Sequence, residues 1–381
     1  MNATDLNEVV ENRIRQKLAK GMTNVQAATN RLMQEGKMSK DFIFAVGTER
    51  KGKDPSIIFH PDDSGKKVQS TFIFPKTGPE QFTVHPHALR QVSEKLRIPT
   101  TYLTSLLFGE EWQRELGYEI MNATNGWTDR NKVLVRAVGT EVRAFLSDSY
   151  RVLDSEMIFG AHMEAVFSNN AQLSDGLMTD TQLMMESLLP TPITIETPYN
   201  GTIMVAFGMR LQTSDYGAGK LSAKSFLLQG ICLNGAVFES VLKEVHLGAK
   251  LQGIDNILSR ETIMLDSKAN ASAVRDITRH LYSHDVIKDK MLRIEATANE
   301  KVDSGNILKG LRDVGKLLKG EADNIGEILL RNDPNSGVQG ESTLWKMTQA
   351  ITALANDEER VSVERRLELQ ELAGELFKKP N

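Results

Sequence analysis

Two runs of alternating β-formers, VLVRAV (133–138) and VRAFLS (142–147), are separated by little more than Gly139 and Thr140. Runs this short and this close pair with each other as a β-hairpin, because only antiparallel neighbours can be joined by so tight a turn. A polar corner, SDSYRVLD (147–154), leads from the hairpin into a stretch of helical spacing from about Ser155 to Phe167. Ser155 is placed to cap that helix, and Asp154 and Glu156 suit its positive N-terminal end.

The rest of the chain alternates in the same way. At the amino end Leu6, Val9, Val10, Ile14 and Leu18 recur at helical spacing, and Val25, Ala28 and Leu32 resume it after Gly21, which predicts two short amphipathic helices. Short β-rich runs follow (FIFAVG, SIIFH, TFIFP) between Gly, Pro, Asp and Lys clusters. Helical character returns over 85–108 with a stop at Ile98-Pro99, since a residue before proline is steered from helical angles, and a further helix runs through Trp112, Leu116 and Ile120. Strands are expected at ITIET (193–197), TIMVAFGMRLQ (202–212) and SFLLQGICL (225–233), with Asn200-Gly201 as a turn and a helix over 236–246. Beyond Lys250 the pattern is mainly helical. The expected class is α+β: a central antiparallel sheet with hairpin-helix units, flanked by N- and C-terminal helices. The expected domains are an N-terminal helical arm (1–40), an α+β core (41–250) and a mainly helical C-terminal region (251–381).

With 381 residues, 40% hydrophobic and 25% charged, the chain has material for a large core and is not a disordered or disulfide-built sequence. Its formal charge of -4 gives no global attraction to nucleic acid, so any such contact has to come from a local basic surface. The single cysteine, Cys232, excludes an internal disulfide and a Cys-rich zinc site, and suits a reducing compartment. The charged amino terminus lacks a signal-like apolar core, and there is no run of about 18 apolar residues for a membrane span. A cytoplasmic location and no membrane partner are therefore expected. Phosphate-loop, GxGxxG and GxSxG motifs are absent, and His280 and His284 lack the HExxH form, so no cofactor, metal or catalytic residue is assigned.

Five sets of residues are candidates for binding. Arg130, Lys132, Arg136, Arg143 and Arg151 crowd the hairpin, and alternation puts several of them on one solvent-facing sheet surface, either as a nucleic-acid contact or as an ordinary solvated face. Tyr150 and Arg151 suit base stacking and phosphate holding; equally, Tyr150 can cover the core while Arg151 pairs with Asp154. Lys220 and Lys224 extend this set. At Cys232, Asn234 and Gly235 a β-rich run meets Asn-Gly, a sharp exit toward a helix start that serves as a structural turn or an anion site. Asp148, Asp154 and Glu156 are the acids a metal-dependent nuclease would need. Lastly, 306–319 places Ile307, Leu308, Leu311, Val314 and Leu318 on one helical face with Lys309, Arg312, Lys316 and Lys319 along its flank.

Four segments in order, FTVHPHALRQVSEKLRIPTTYL (82–103), VRAFLSDSYRVLD (142–154), FLLQGICLNG (226–235) and STLWKMTQAIT (342–352), resemble the phage/plasmid-like proteins, a family of unknown function found in phages and plasmids. The late segment departs from the family where TQAITALAND replaces an asparagine and acidic run. The resemblance implies a mobile-element protein and supplies no catalytic residues. By analogy with ATP-independent annealing proteins, it implies an oligomer that binds single-stranded nucleic acid as a recombination accessory. The alternative is a phage structural or host-interaction protein that self-assembles.

Overall fold

The structure, a computed structural model, describes residues 3–45, 57–74, 76–123, 132–147, 150, 155–229, 235–240, 260–331, 338–357 and 359–377. One helix opens the chain, α1 (Ala3–Met38), where two were expected. At 1.5 Å per residue it is about 54 Å long. Its buried positions Val10, Ile14, Leu18, Val25, Ala28, Leu32 and Glu35 keep a spacing of three, four or seven through Gly21, so the apolar stripe is continuous.

The chain passes directly into β1 (Ser39–Ala45), then β2 (Ile57–Pro61), β3 (Val68–Phe74) and β4 (Gly78–Val84). Helices α2 (Pro86–Leu96), α3 (Thr100–Leu107) and α4 (Glu111–Ala123) come next, followed by the expected hairpin of β5 (Lys132–Val138) and β6 (Glu141–Ser147). These six strands form one sheet in the order β1-β5-β6-β4-β3-β2, antiparallel except where β4 meets β6. Gly139 adopts φ +58° in the hairpin turn, a left-handed backbone that glycine takes without steric cost. Phe44, Phe59, Phe72, Phe82 and Phe145 fill one face, closed by Leu89 and Val92 of α2, Leu103 and Leu107 of α3 and Met121 of α4.

Helix α5 (Ser155–Ser168) leads to a second sheet of β7 (Gln172–Met178), β8 (Leu183–Leu188), β9 (Ile193–Thr197), β10 (Gly201–Thr213), β11 (Ser222–Gln229) and β12 (Gly235–Ser240). Its order is β12-β11-β10-β8-β7, with β9 also on β10. Ser155 does not use its hydroxyl as a cap; Oγ donates to Asp215 Oδ1 at 2.7 Å. The segment from Gly235 is a strand rather than the start of a helix, with Leu228 opposite Gly235. Pairing to β11 satisfies backbone groups that an open edge would leave bare, and this outweighs local helical spacing.

Among the described residues six helices follow: α6 (Arg260–Leu281), α7 (His284–Asn299), α8 (Ser304–Asp313), α9 (Lys319–Arg331), α10 (Leu344–Ala355) and α11 (Val363–Glu375). The helix expected over 306–319 stops early, because Gly315 at φ +73° reverses the chain between α8 and α9. Val314 and Leu318, assigned from sequence to its apolar face, are exposed instead.

One face of the second sheet is covered twice over. Met185, Met209 and Leu211 pack on Ile158 and Phe159 of α5 and Val274 and Leu281 of α6. Val205, Phe207 and Leu227 pack on Trp345 and Ile351 of α10 and Leu369 of α11. The opposite face receives α1, with Val10, Ile14 and Leu18 against Leu188, Met204, Ala206, Phe226 and Leu228. Further along, α1 lies backbone to backbone on β7: a Cβ at Gly21 would stand 1.7 Å from the Ser174 carbonyl oxygen. Contact of this closeness is why a glycine persists mid-helix despite costing about 1 kcal/mol in propensity. The α+β class with helices at both ends is as expected, but the strands form two sheets. Among the described residues no helix is long and apolar enough to cross a membrane.

Candidate functional site

The two described hairpin arginines do not lie on a solvent-facing surface. Arg136 and Arg143 are both buried, on the face of the first sheet turned away from its phenylalanine core. Arg136 grips Asp41 of β1 with two hydrogen bonds, Nε to Oδ1 at 2.8 Å and Nη2 to Oδ2 at 2.9 Å, and reaches the Asp215 carbonyl with Nη1. Arg143 donates from Nη1 to Glu35 Oε2 at 2.6 Å and from Nε to Glu141 Oε2 at 3.1 Å. Glu35 is shared: Arg31 Nε donates to its other oxygen at 2.7 Å and the Tyr216 hydroxyl to Oε2 at 3.3 Å. Arg31 also binds Asp180. Burial opposes both guanidinium charges, yet Asp41 and Glu35 outweigh it and hold Arg136 and Arg143 above the ordinary arginine range. These ions join α1, the first sheet and the loop after β10; ions spent on one another in this way are unavailable to phosphate.

The corner after β6 follows suit where it is described. Tyr150 packs beside Leu134, Val138, Ala144, Leu146 and Tyr216, and its hydroxyl donates to the Ser214 carbonyl at 3.4 Å, so the ring covers a core. Burial raises its phenol pKa. Lys132 opens β5, half-buried, opposite Ala45, and Lys220 is exposed before β11. Arg130, Asp148, Arg151, Asp154, Cys232 and Asn234 lie outside the described residues, and Gly235 begins β12. Glu156 is exposed in the first turn of α5; among the described residues no group of three or more His, Cys, Asp or Glu is arranged to hold a metal.

A different set of residues converges on the face of the second sheet that α1 only partly covers. Between α1 and α11 runs a cleft of about 520 Å³. Glu186 on β8 and Arg210 on β10 face each other on its floor, and the row continues outside the lining to Lys224 on β11, opposite Arg210. Arg210 Nε donates to Glu186 Oε1 at 2.9 Å and its Nη2 to Gln370 Oε1 of α11 at 3.0 Å, with the guanidinium 6.0 Å above the Phe226 ring. Lys224 binds Glu371 of α11. Burial would raise the Glu186 carboxyl, but Arg210 and then Lys17 pull it below the usual range. The walls add Lys17, Asn24 and Arg31 from α1, Asp175 from β7, and Asn356 and Arg366 beside Gln370. From Lys17 to Arg31 the cleft follows α1 for about 21 Å.

Lining the cleft are four cationic side chains (Lys17, Arg31, Arg210, Arg366), two carboxylates (Asp175, Glu186) and three amides (Asn24, Asn356, Gln370). Of the described sequence candidates none lines the cleft; Lys224 sits beside it, opposite Arg210 on the neighbouring strand. A signal for its floor residues did exist: Glu186 in LMMESL and Arg210 in MVAFGMRLQ are lone charges inside apolar strands, and a charge so placed has to be paired.

His162 is not a general base for this region. It is sealed between α5 and α6, where Thr278 Oγ1 donates to the Val274 carbonyl at 2.8 Å and so accepts from His162 Nδ1 at 3.2 Å. Among the described residues its Nε2 has no partner, and burial lowers the imidazole pKa from 6.5 to about 4. The unfolded chain takes up this proton near 6.5, and the folded chain only near 4. Stability should therefore fall as pH drops through that window, by about 3 kcal/mol in all. A His162→Leu variant should flatten the urea midpoint against pH there; an equally steep fall in the variant would assign it to other groups.

No protein-family model, no curated protein and no solved structure matches this chain.

Proposed function

We propose that the protein binds single-stranded nucleic acid in the cleft between α1 and α11, as a mobile-element annealing or recombination accessory working in a reducing cytoplasm. The observation that supports this is the pairing of cations with amides along an elongated cleft. Lysine and arginine neutralise phosphates, and asparagine and glutamine can bond base edges, so a nucleotide chain uses both sets. Arg210 and Arg31 already hold carboxylates, which leaves Lys17 as the phosphate contact with the cleanest test.

Fluorescence anisotropy with labelled oligothymidine and oligouridine at low salt measures the binding. Lys17→Ala should make the slope of log affinity against log salt shallower by about 0.7, the value of one single-strand phosphate contact. Lys17→Glu should weaken binding at least about tenfold, equivalent to about 1.4 kcal/mol; it also loses its attraction to Glu186, so circular dichroism checks that the variant is folded. Absence of binding to either oligomer, or wild-type affinity in Lys17→Glu, would remove the reading.

A further inference from the structure

Two helical hairpins carry bare apolar side chains at their tips, and their charges are opposite. At the turn from α3 to α4, Phe108 and Trp112 are exposed, Trp112 by 60%, and Tyr102 is exposed at the start of α3, although aromatic rings of this size are normally packed. The carboxylates of Glu110, Glu111, Glu115 and Glu119 surround them, all exposed, against one nearby arginine, Arg114, which is turned onto the Gly109 carbonyl. At the turn from α8 to α9, Val314 and Leu318 are 69% and 66% exposed. Around them stand Lys309, Arg312, Lys316 and Lys319; Arg312 pairs with Asp313 and Lys316 with Glu375, while Glu321 takes the Leu318 N–H and Arg365. Lys309 and Lys319 enter no ion pair among the described residues.

We propose that the acidic aromatic tip of one copy docks on the basic aliphatic tip of a second copy. Each tip lacks what the other supplies: apolar area rimmed by carboxylates meets apolar area rimmed by ammonium groups, and complementary charge steers and orients such contacts. The two tips are different patches, so the contact is head-to-tail. Every copy in a chain offers one free tip at each end, and the assembly either closes into a ring or grows as a filament. This inference does not depend on what occupies the cleft.

The test is light scattering over a concentration series, without nucleic acid. The wild type should grow in mass with concentration, and less so in high salt, which screens exposed charges. Glu111→Lys with Glu115→Lys, and separately Lys309→Glu with Lys319→Glu, should each weaken association at least about tenfold, since like charges now meet. Mixed in equal amounts, the two variants should associate again, because the basic α4 tip of one faces the acidic α8 tip of the other. A monomer at every concentration overturns the proposal, as does association unaltered by both pairs of changes. Two monomeric variants that stay monomeric when mixed also overturn it.

Discussion

Gly21→Ala is expected to destabilise the protein by about 3 kcal/mol or more while making α1 itself a better helix. The two effects have opposite signs because they act on different links. In an isolated helix, alanine is favoured over glycine by about 1 kcal/mol. In the protein, the new methyl would stand 1.7 Å from the Ser174 carbonyl oxygen and 2.5 Å from its carbon. The obstruction is backbone, so no rotamer change relieves it; either β7 or α1 has to move. Overpacking of this kind costs about 1–3 kcal/mol, more where the neighbours are rigid. Moving α1 would also loosen Val25, Ala28 and Leu32 from Leu173 and Met185. Urea unfolding of the full chain and circular dichroism of a peptide spanning 3–38 read the two effects separately. Gly160→Ala in α5 is the control, because a Cβ there meets nothing within 4 Å, and it should be neutral or slightly stabilising. Equal stability of wild type and Gly21→Ala would mean that α1 is not seated on β7.

Gly21 also illustrates what was legible in the sequence and what was not. The hairpin of β5 and β6 could be read from 15 adjacent residues, since turn and alternation are local signals. Helix α1 was divided at Gly21 because a mid-helix glycine normally marks a weak point; the strand that requires it is more than 150 residues downstream. The strand β12 was read as helix for the same reason, its pairing partner being invisible to local spacing. Arg136 and Arg143 were correctly placed on a sheet and given the wrong environment. Their partners Asp41 and Glu35 are 95 and 108 residues away, and no periodicity reports that separation. The cleft is the extreme case, since Lys17, Glu186, Arg210 and Gln370 come from one helix at each end of the chain and two strands between. Their lone charges inside apolar strands signal pairing, but not with which partner.

The second large effect belongs to Glu35, whose loss should cost about 3–5 kcal/mol, the range for breaking a buried ion pair. Its carboxylate is a hub with side-chain exposure of 8%, accepting from Arg31, Arg143 and Tyr216. Arg143, at 10%, is nearly as buried, and without Glu35 the carboxylate it keeps is Glu141, which is more open to solvent, beside the neutral Asp180 carbonyl and Tyr216 ring. Glu35→Met should therefore be the costlier single change, and Arg143→Met the milder, because Glu35 would still hold Arg31 and Tyr216. The double variant should be more stable than Glu35→Met alone: removing both ions leaves no uncompensated charge in the seam. Additive losses in urea unfolding would show that the pair is not coupled. The same series separates two meanings of a basic hairpin. If nucleic acid is held in the cleft, folded Arg143→Met should lose stability and keep its oligonucleotide affinity, whereas folded Lys17→Glu should lose affinity. A folded Arg143→Met protein with weakened binding would return the contact surface to the hairpin.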